Sequence, residues 1–483
     1  MRNQKAVRKD RFLIWIMERM DQMTTKIKLQ VGETRSVTCL RMGINGEGIA
    51  TLERQIVFIP GLLVGETAQI EITEIHNNFA NAKILKRDVR SPDRVTPLCP
   101  IYSQCGGCQL QHMSYEGQLR YKEEMLRNAF TKSTKLNVEK ADIRKTIGTT
   151  EWEYRNKSQF AVGKEGNQIV SGLYSANSNR LVAIDECVVQ NKETLRVNNA
   201  VTQLLNDYKV PVYSSSKQDG VIRNIVVRTG IKTGEIQVVL VAFKDGFKDL
   251  EGLSRDIYDI PGVISVALNI NDKLTSRVFG EQTEILRGVE RIEEQMGEFT
   301  YQLSPRAFFQ LNPEQAERMY GEVVKAAALT GEERVVDAYA GVGSIGLWVA
   351  SGAKEVRGME IVEEAVEDAT AHMKQYGFNH AHYVVGKAEA WIPRWVKEGW
   401  VPDVFIVDPP RAGCDTQLLN AMISSKAKKI IYVSCNPQSL ARDCDHLMKA
   451  DYKISYIQPY DMFPQTAHVE AIVVLEKKKK KKF

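Results

Sequence analysis

No apolar run near the start of this 483-residue chain exceeds six residues; the longest, FLIWIM at 12–17, follows a basic leader. That is too short for the core of a secretion signal, and a membrane crossing takes about 20 apolar residues. Cysteine is scarce, with eight in the whole chain, so a disulfide scaffold is excluded as the basis of the fold. A strong excess of one charge is also missing. Lys plus Arg number 65 against 60 Asp plus Glu, a net charge of +5, which permits nucleic acid without pointing to it. Part of the excess is local, because 477–482 are six lysines; residues 477–483 read as a solvated basic tail. Residues 1–23 read as a disordered extension. What remains is ordinary globular material, 43% hydrophobic and 26% charged, long enough for two to four domains. The expectation is a cytoplasmic monomer with no membrane attachment.

The stretch 401–437 organises the rest. VPDVFIVDPPR (401–411) and KKIIYVSCNP (428–437) each read as a strand buried on both faces that ends in a polar, proline-bearing turn. In an open α/β sheet, chemistry collects at the carboxyl ends of strands. Asp408 and Cys435 therefore stand where a site belongs, Cys435 as a nucleophile and Asp408 as a polar anchor. Strands at 334–337, 355–360 and 382–385 alternate with helices at 344–351, 363–376, 416–425 and 438–450. This pattern predicts an α/β fold with a doubly wound, Rossmann-like domain over 301–476.

Within it, VVDAYAGVGSIGLW (335–348) places Asp337 at a strand end, with Gly341 and Gly343 before a helix. Such a turn lets a ligand approach backbone N–H groups. The next strand ends in Glu360, which suits ribose hydroxyls or, equally, the N-terminus of the following helix. NAD and S-adenosylmethionine both fit these features.

Upstream, residues 24–90 are rich in short Val-, Ile- and Thr-bearing runs punctuated by glycine, which predicts a small OB-like β-barrel. GINGEGIA (43–50) resembles the TRAM domain found on RNA-modifying enzymes. A central α+β domain over 91–300 follows. It carries Cys99, Cys105, Cys108 and the distant Cys187, four thiols that suit a [4Fe–4S] cluster or tetrahedral zinc. Cys39 has no such neighbours and reads as core. Tyr154, Arg155, Asn156 and Lys157 form a basic, aromatic cluster that fits RNA contact or a solvated turn.

Asp337-x-x-x-Gly341-x-Gly343, Glu360 and the Asp-Pro-Pro strand end together resemble the S-adenosylmethionine-dependent methyltransferases. RAFFQLN (306–312), SCNP (434–437) and HVE (468–470) narrow the resemblance to the RNA uracil-C5 methyltransferases. The barrel and the cysteines narrow it to the 23S rRNA branch, over residues 26–475. The resemblance implies that Gln310, Tyr339, Glu360 and Asp408 line the S-adenosylmethionine pocket, with Tyr339 where some relatives carry Phe. It further implies that Cys435 is the nucleophile, Glu470 the base, and Cys99, Cys105, Cys108 and Cys187 the ligands of a [4Fe–4S] cluster. The implied substrate is an unstacked or flipped uridine of 23S rRNA.

The chemistry asks for these residue types. Uracil C5 is too poor a nucleophile until a thiolate adds to C6, and a base must then remove the C5 proton. The position of Cys435 before a helix is expected to favour its thiolate. For Glu470, an exposed strand carboxylate is the competing expectation. Alternatives with the same pattern are a tRNA uracil-C5 methyltransferase, a cytosine-C5 enzyme and an exocyclic-amine methylase. The last needs no cysteine and usually has an aromatic residue where Arg411 stands. A non-catalytic RNA-binding protein is a further class, opposed by intact Gly341, Glu360, Cys435 and Glu470.

Overall fold

The computed structural model describes residues 29–275 and 277–478. The expected extension over 1–23 and the tail beyond residue 478 lie outside the described residues. The chain divides into two compact units whose boundary falls between Arg94 and Val95.

The first unit is a six-stranded sheet in the order Thr34–Thr38, Thr67–Ile75, Phe79–Val89, Gln55–Ile59, Gly48–Leu52, Arg41–Met42. Along Thr67–Ile75, Ala68, Ile70 and Ile72 are buried while their neighbours are more open, the two-residue period of a strand with one inward face. Cys39 is 2% exposed and belongs to this core. Glu66 is fully buried and pairs with Arg94 at the end of the unit.

The second unit contains two seven-stranded sheets. The first runs Gln282–Gly288, Val263–Ile270, Ile236–Ala242, Ile222–Thr229, Lys157–Glu165, Gln168–Tyr174, Leu181–Ala183. The helices Lys192–Asp207 and Leu250–Tyr258 cover it, their Val197, Val201, Leu205, Leu253 and Ile257 packing with Ile225, Val227 and Val238. The periodic pattern predicts the first of these helices from residue 188. It starts later because the Asn191 side chain accepts from the N–H groups of Glu193 and Thr194 and so caps it.

The second sheet runs Ala381–Val385, Glu355–Glu360, Arg334–Ala338, Val404–Val407, Lys429–Ser434, Glu470–Lys477, Tyr452–Tyr460. Its first five strands are parallel, and the last two form an antiparallel hairpin at one edge. Val335, Val356, Ile406, Ile431, Val433 and Ile472 contribute to one core with Leu347, Met319 and Val323 from the helices. This is the predicted doubly wound sheet. The sequence pattern misses the helix Ala388–Lys397, which carries Pro393 inside it. No described helix is long and apolar enough to cross a membrane.

Candidate active site

Strand register brings the sequence-predicted residues to one edge. Ala338 pairs with Met359 and with Val407, so Glu360, Tyr339 and Asp408 end three adjacent strands. Val407 pairs with Tyr432, and Ser434 with Ala471. Cys435 therefore leaves its strand where Glu470 enters the neighbouring one, which runs the opposite way.

The cofactor side is built from backbone donors. The Glu360 carboxylate accepts from Gly341 N–H at 3.1 Å, Ile361 N–H at 2.7 Å and Val362 N–H at 3.2 Å. Gly341 has φ +55°, and a Cβ built on it would meet nothing within 4 Å, so the turn leaves open space beside the carboxylate. Asp337 is buried and accepts from Gly346 N–H at 3.0 Å and the Tyr383 hydroxyl at 3.2 Å. A Cβ on Gly346 would lie 1.9 Å from that hydroxyl, so the contact requires glycine. Burial first, then the Asp408 and Glu360 charges, raise the Asp337 carboxyl to about 7. Tyr339 holds a left-handed φ of 61°, and strain of this kind persists at ligand turns. Gln310 is 8% exposed, in the loop before the helix Pro313–Ala327. Its carbonyl accepts from the Asn156 side chain at 3.2 Å. A carboxylate fixed by backbone donors beside an open glycine turn fits the ribose end of an adenosyl cofactor.

The reactive side is starved of such donors. Glu470 is 7% exposed, against the competing expectation of an exposed strand carboxylate. Burial, together with the charge of Asp408, raises its pKa well above the ordinary value, and Arg411 pulls the other way. Burial and the charges of Glu470 and Asp408 push the Cys435 thiol up to about 11, with Arg411 opposing. This corrects the thiolate expected from the helix start alone, because desolvation and two carboxylates outweigh a partial positive charge. Asn436 caps the helix Pro437–Lys449. Its side-chain amide also donates to the Arg411 carbonyl at 2.8 Å, tying the Asp-Pro-Pro turn to the cysteine turn. Arg411 Nη2 lies 3.0 Å from His468 Nδ1, and burial, with the Arg411 charge, lowers His468 to about 4. A neutral imidazole is thus the acceptor. Sequence reasoning passed over Arg411 and His468 as functional groups, although both lie inside the quoted motifs.

The YRNK segment is neither a solvated turn nor an open platform. Tyr154 and Asn156 are buried, and the Tyr154 hydroxyl donates to the Pro464 carbonyl at 2.9 Å.

Cys99, Cys105, Cys108 and Cys187 are free thiols of intermediate exposure. The Cys187 charge raises each of the other three, after burial, and Cys108 reaches about 12. The four thus share one electrostatic neighbourhood. Among the described residues, however, no three His, Cys, Asp or Glu side chains form a group that could hold a metal ion.

Comparison with known proteins gives these features a class. A family model described as tRNA (Uracil-5-)-methyltransferase matches residues 397–478, which hold Asp408, Cys435 and Glu470. A TRAM domain model matches residues 28–85. An uncharacterised RNA methyltransferase of Bacillus anthracis is 48% identical over 94% of this chain and 99% of its own length. One from Halalkalibacterium halodurans is 47% identical over 94% and 99%. The crystal structure of Pyrococcus abyssi tRNA (uracil-54, C5)-methyltransferase in complex with S-adenosyl-L-homocysteine superposes with a TM-score of 0.72. It is 26% identical and covers 91% of this chain and 99% of its own. The sheet edge and its residues thus belong to an S-adenosylmethionine-dependent RNA methyltransferase. More narrowly, the chain belongs to the RNA uracil-5-methyltransferase family that carries a TRAM domain.

Proposed function

We propose that this enzyme methylates C5 of a uridine in 23S rRNA, with Cys435 as nucleophile and Glu470 as base, acting as a cytoplasmic monomer. The observation that carries the chemistry is the register that sets Cys435 and Glu470 side by side, with Asp408 and Arg411 acting on both. S-adenosylmethionine, when bound, supplies an electrophilic methyl group; Gln310, Tyr339, Glu360 and Asp408 would hold it. The Cys435 thiolate adds to uracil C6 and gives C5 carbanion character. The Arg411 charge acts on the thiol and favours the thiolate against two carboxylates. After C5 has been alkylated, the Glu470 carboxylate takes the C5 proton. The C5–C6 double bond re-forms as the C6–sulfur bond breaks. The target base must be unstacked or flipped for the thiol to reach C6.

A tRNA target is the second reading, favoured by the archaeal tRNA enzyme whose fold matches over nearly the whole chain. Tritiated methyl transfer to unmodified 23S rRNA and tRNA transcripts, followed by product nucleoside analysis, separates the two. 5-Methyluridine only in tRNA overturns the rRNA reading, and 5-methylcytidine or a methylated exocyclic amine overturns both.

The four cysteines are proposed to hold a [4Fe–4S] cluster, since four free thiols in one neighbourhood match its donor set. Anaerobically purified protein should carry about four iron per chain, and Cys187→Ser should lose iron and folded yield together. One zinc and no iron would replace the cluster by a structural zinc site.

A further inference from the structure

The nine residues 461–469 join the hairpin strands Tyr452–Tyr460 and Glu470–Lys477. Loops usually run over the surface, because a buried loop strands its backbone polar groups. This one is buried at every position except Phe463 and His468, which are half-buried. Much of its backbone is satisfied from segments more than 300 residues away in sequence, with Asn312 holding the Met462 carbonyl at 3.1 Å.

The helix Tyr115–Ser133 supplies the main contacts. Gln118, fully buried, pairs reciprocally with Gln465. Its side-chain nitrogen donates to Gln465 Oε1 at 2.9 Å, and its oxygen accepts from Gln465 N–H at 2.9 Å. One turn on, fully buried Lys122 pairs with Asp461 and donates to the Phe463 carbonyl at 3.2 Å. The N–H groups of Gln109 and Leu110, just after Cys108, both donate to the Gln465 carbonyl, at 3.0 and 2.9 Å. Gln465 itself sits at a left-handed φ of 70°. A non-glycine residue stays there only where its surroundings over-determine it.

We propose that Gln118 and Lys122 are positioning residues for Glu470, bracing the 461–469 loop so that the carboxylate reaches the C5 proton. Neither residue need touch substrate. The loop ends one residue before Glu470, and Tyr460, just before it, is the strand partner of Glu470. A loop freed from the helix therefore releases the base at its backbone. The same bonds make the segment after Cys108 part of the brace. The proposal rests on the reading of Glu470 as base.

The test is a single-turnover reaction of the full-length protein with tritiated S-adenosylmethionine. The RNA is whichever of the 23S rRNA and tRNA transcripts the unchanged enzyme methylates. Gln118→Met keeps the volume and removes the amide pair. It should slow release of product about tenfold or more while methylated RNA accumulates covalently bound to protein on denaturing gels. KM for S-adenosylmethionine should change less than about twofold. Gln465→Met should do the same, and the double variant should be no worse than either single one, as for two halves of one contact. Unaltered release, or a fall in turnover with no methylated adduct, overturns the proposal. If Gln118→Met does not fold, Gln109→Leu is read in the same assay. It removes the side-chain acceptor of Ala467 N–H and the side-chain donor to the Gly106 carbonyl, and absence of adduct there is equally decisive. Glu470→Gln runs alongside. If it yields adduct and the brace variants do not, only the brace falls. If it yields none, the base assignment falls and the brace with it.

Discussion

Glu360 and Glu470 stand on the same edge of one sheet, and their surroundings differ in kind. Glu360 sits among three backbone N–H donors next to an open glycine turn. Glu470 is buried, and among the described residues no hydrogen bond reaches its carboxylate. A carboxylate saturated with donors is fixed in place and suits binding. One stripped of them is costly to ionise, and that same cost makes it a stronger base once ionised. Asp408 and Arg411 act on the second in opposite directions. One residue type thus stands in two kinds of surroundings because one strand ends in a helix-start turn and the other begins after a buried loop.

The comparison breaks most completely at Cys435. Cys435→Ala should lower turnover by about a thousandfold or more. S-adenosylmethionine affinity, measured by calorimetry, should stay within a few-fold, because in the proposed mechanism the thiol attacks the base and not the cofactor. An equal loss of affinity would mean that the two sides of the edge are one site.

Glu470→Gln should still allow addition and methylation and then stall at elimination. Steady turnover should fall about a hundredfold or more, with methylated covalent adduct on denaturing gels. Adding Cys435→Ala should abolish the adduct, which fixes the bond to that sulfur. Normal turnover without adduct would assign the base elsewhere.

The pH dependence follows with a definite sign. Cys435 must lose its proton before addition, and burial has pushed its pKa up to about 11. The deprotonated fraction, and with it the rate of covalent capture of 5-fluorouridine RNA, should climb by about tenfold per unit from pH 7 to 9. A flat profile over that range would show that the thiolate is already formed at pH 7.

The smallest effect is expected at Glu360, proposed to bind the cofactor. Glu360→Gln keeps a carbonyl oxygen to accept the backbone N–H groups but removes its charge. KM for S-adenosylmethionine should rise on the order of tenfold, about 1.4 kcal/mol, with kcat little changed and no adduct. A fall in kcat with adduct would erase the distinction between the two glutamates.

Much of this edge was legible in the chain itself. Short continuous apolar runs ending in DPP and SCNP place Asp408 and Cys435 at strand ends, because parallel strands buried on both faces cannot alternate. The glycine spacing before 344 and the acid at 360 mark a nucleotide-type turn for the same local reason. The helix with Pro393 was hidden by a residue that usually ends helices, and the helix from Lys192 was misplaced by a cap that only its hydrogen bonds reveal.

Local pattern and covalent spacing therefore determined the doubly wound fold, the glycine-punctuated strands of the first unit and the placement of Asp408 and Cys435 at strand ends. Tertiary structure decided what those residues are chemically. The resting state of Cys435 is set by its burial and by the charge of Glu470, 35 positions later, and the loop that leads into Glu470 is held by a helix near position 118. Burial and Coulomb interaction depend on distance in space, and sequence spacing records that distance only within one element.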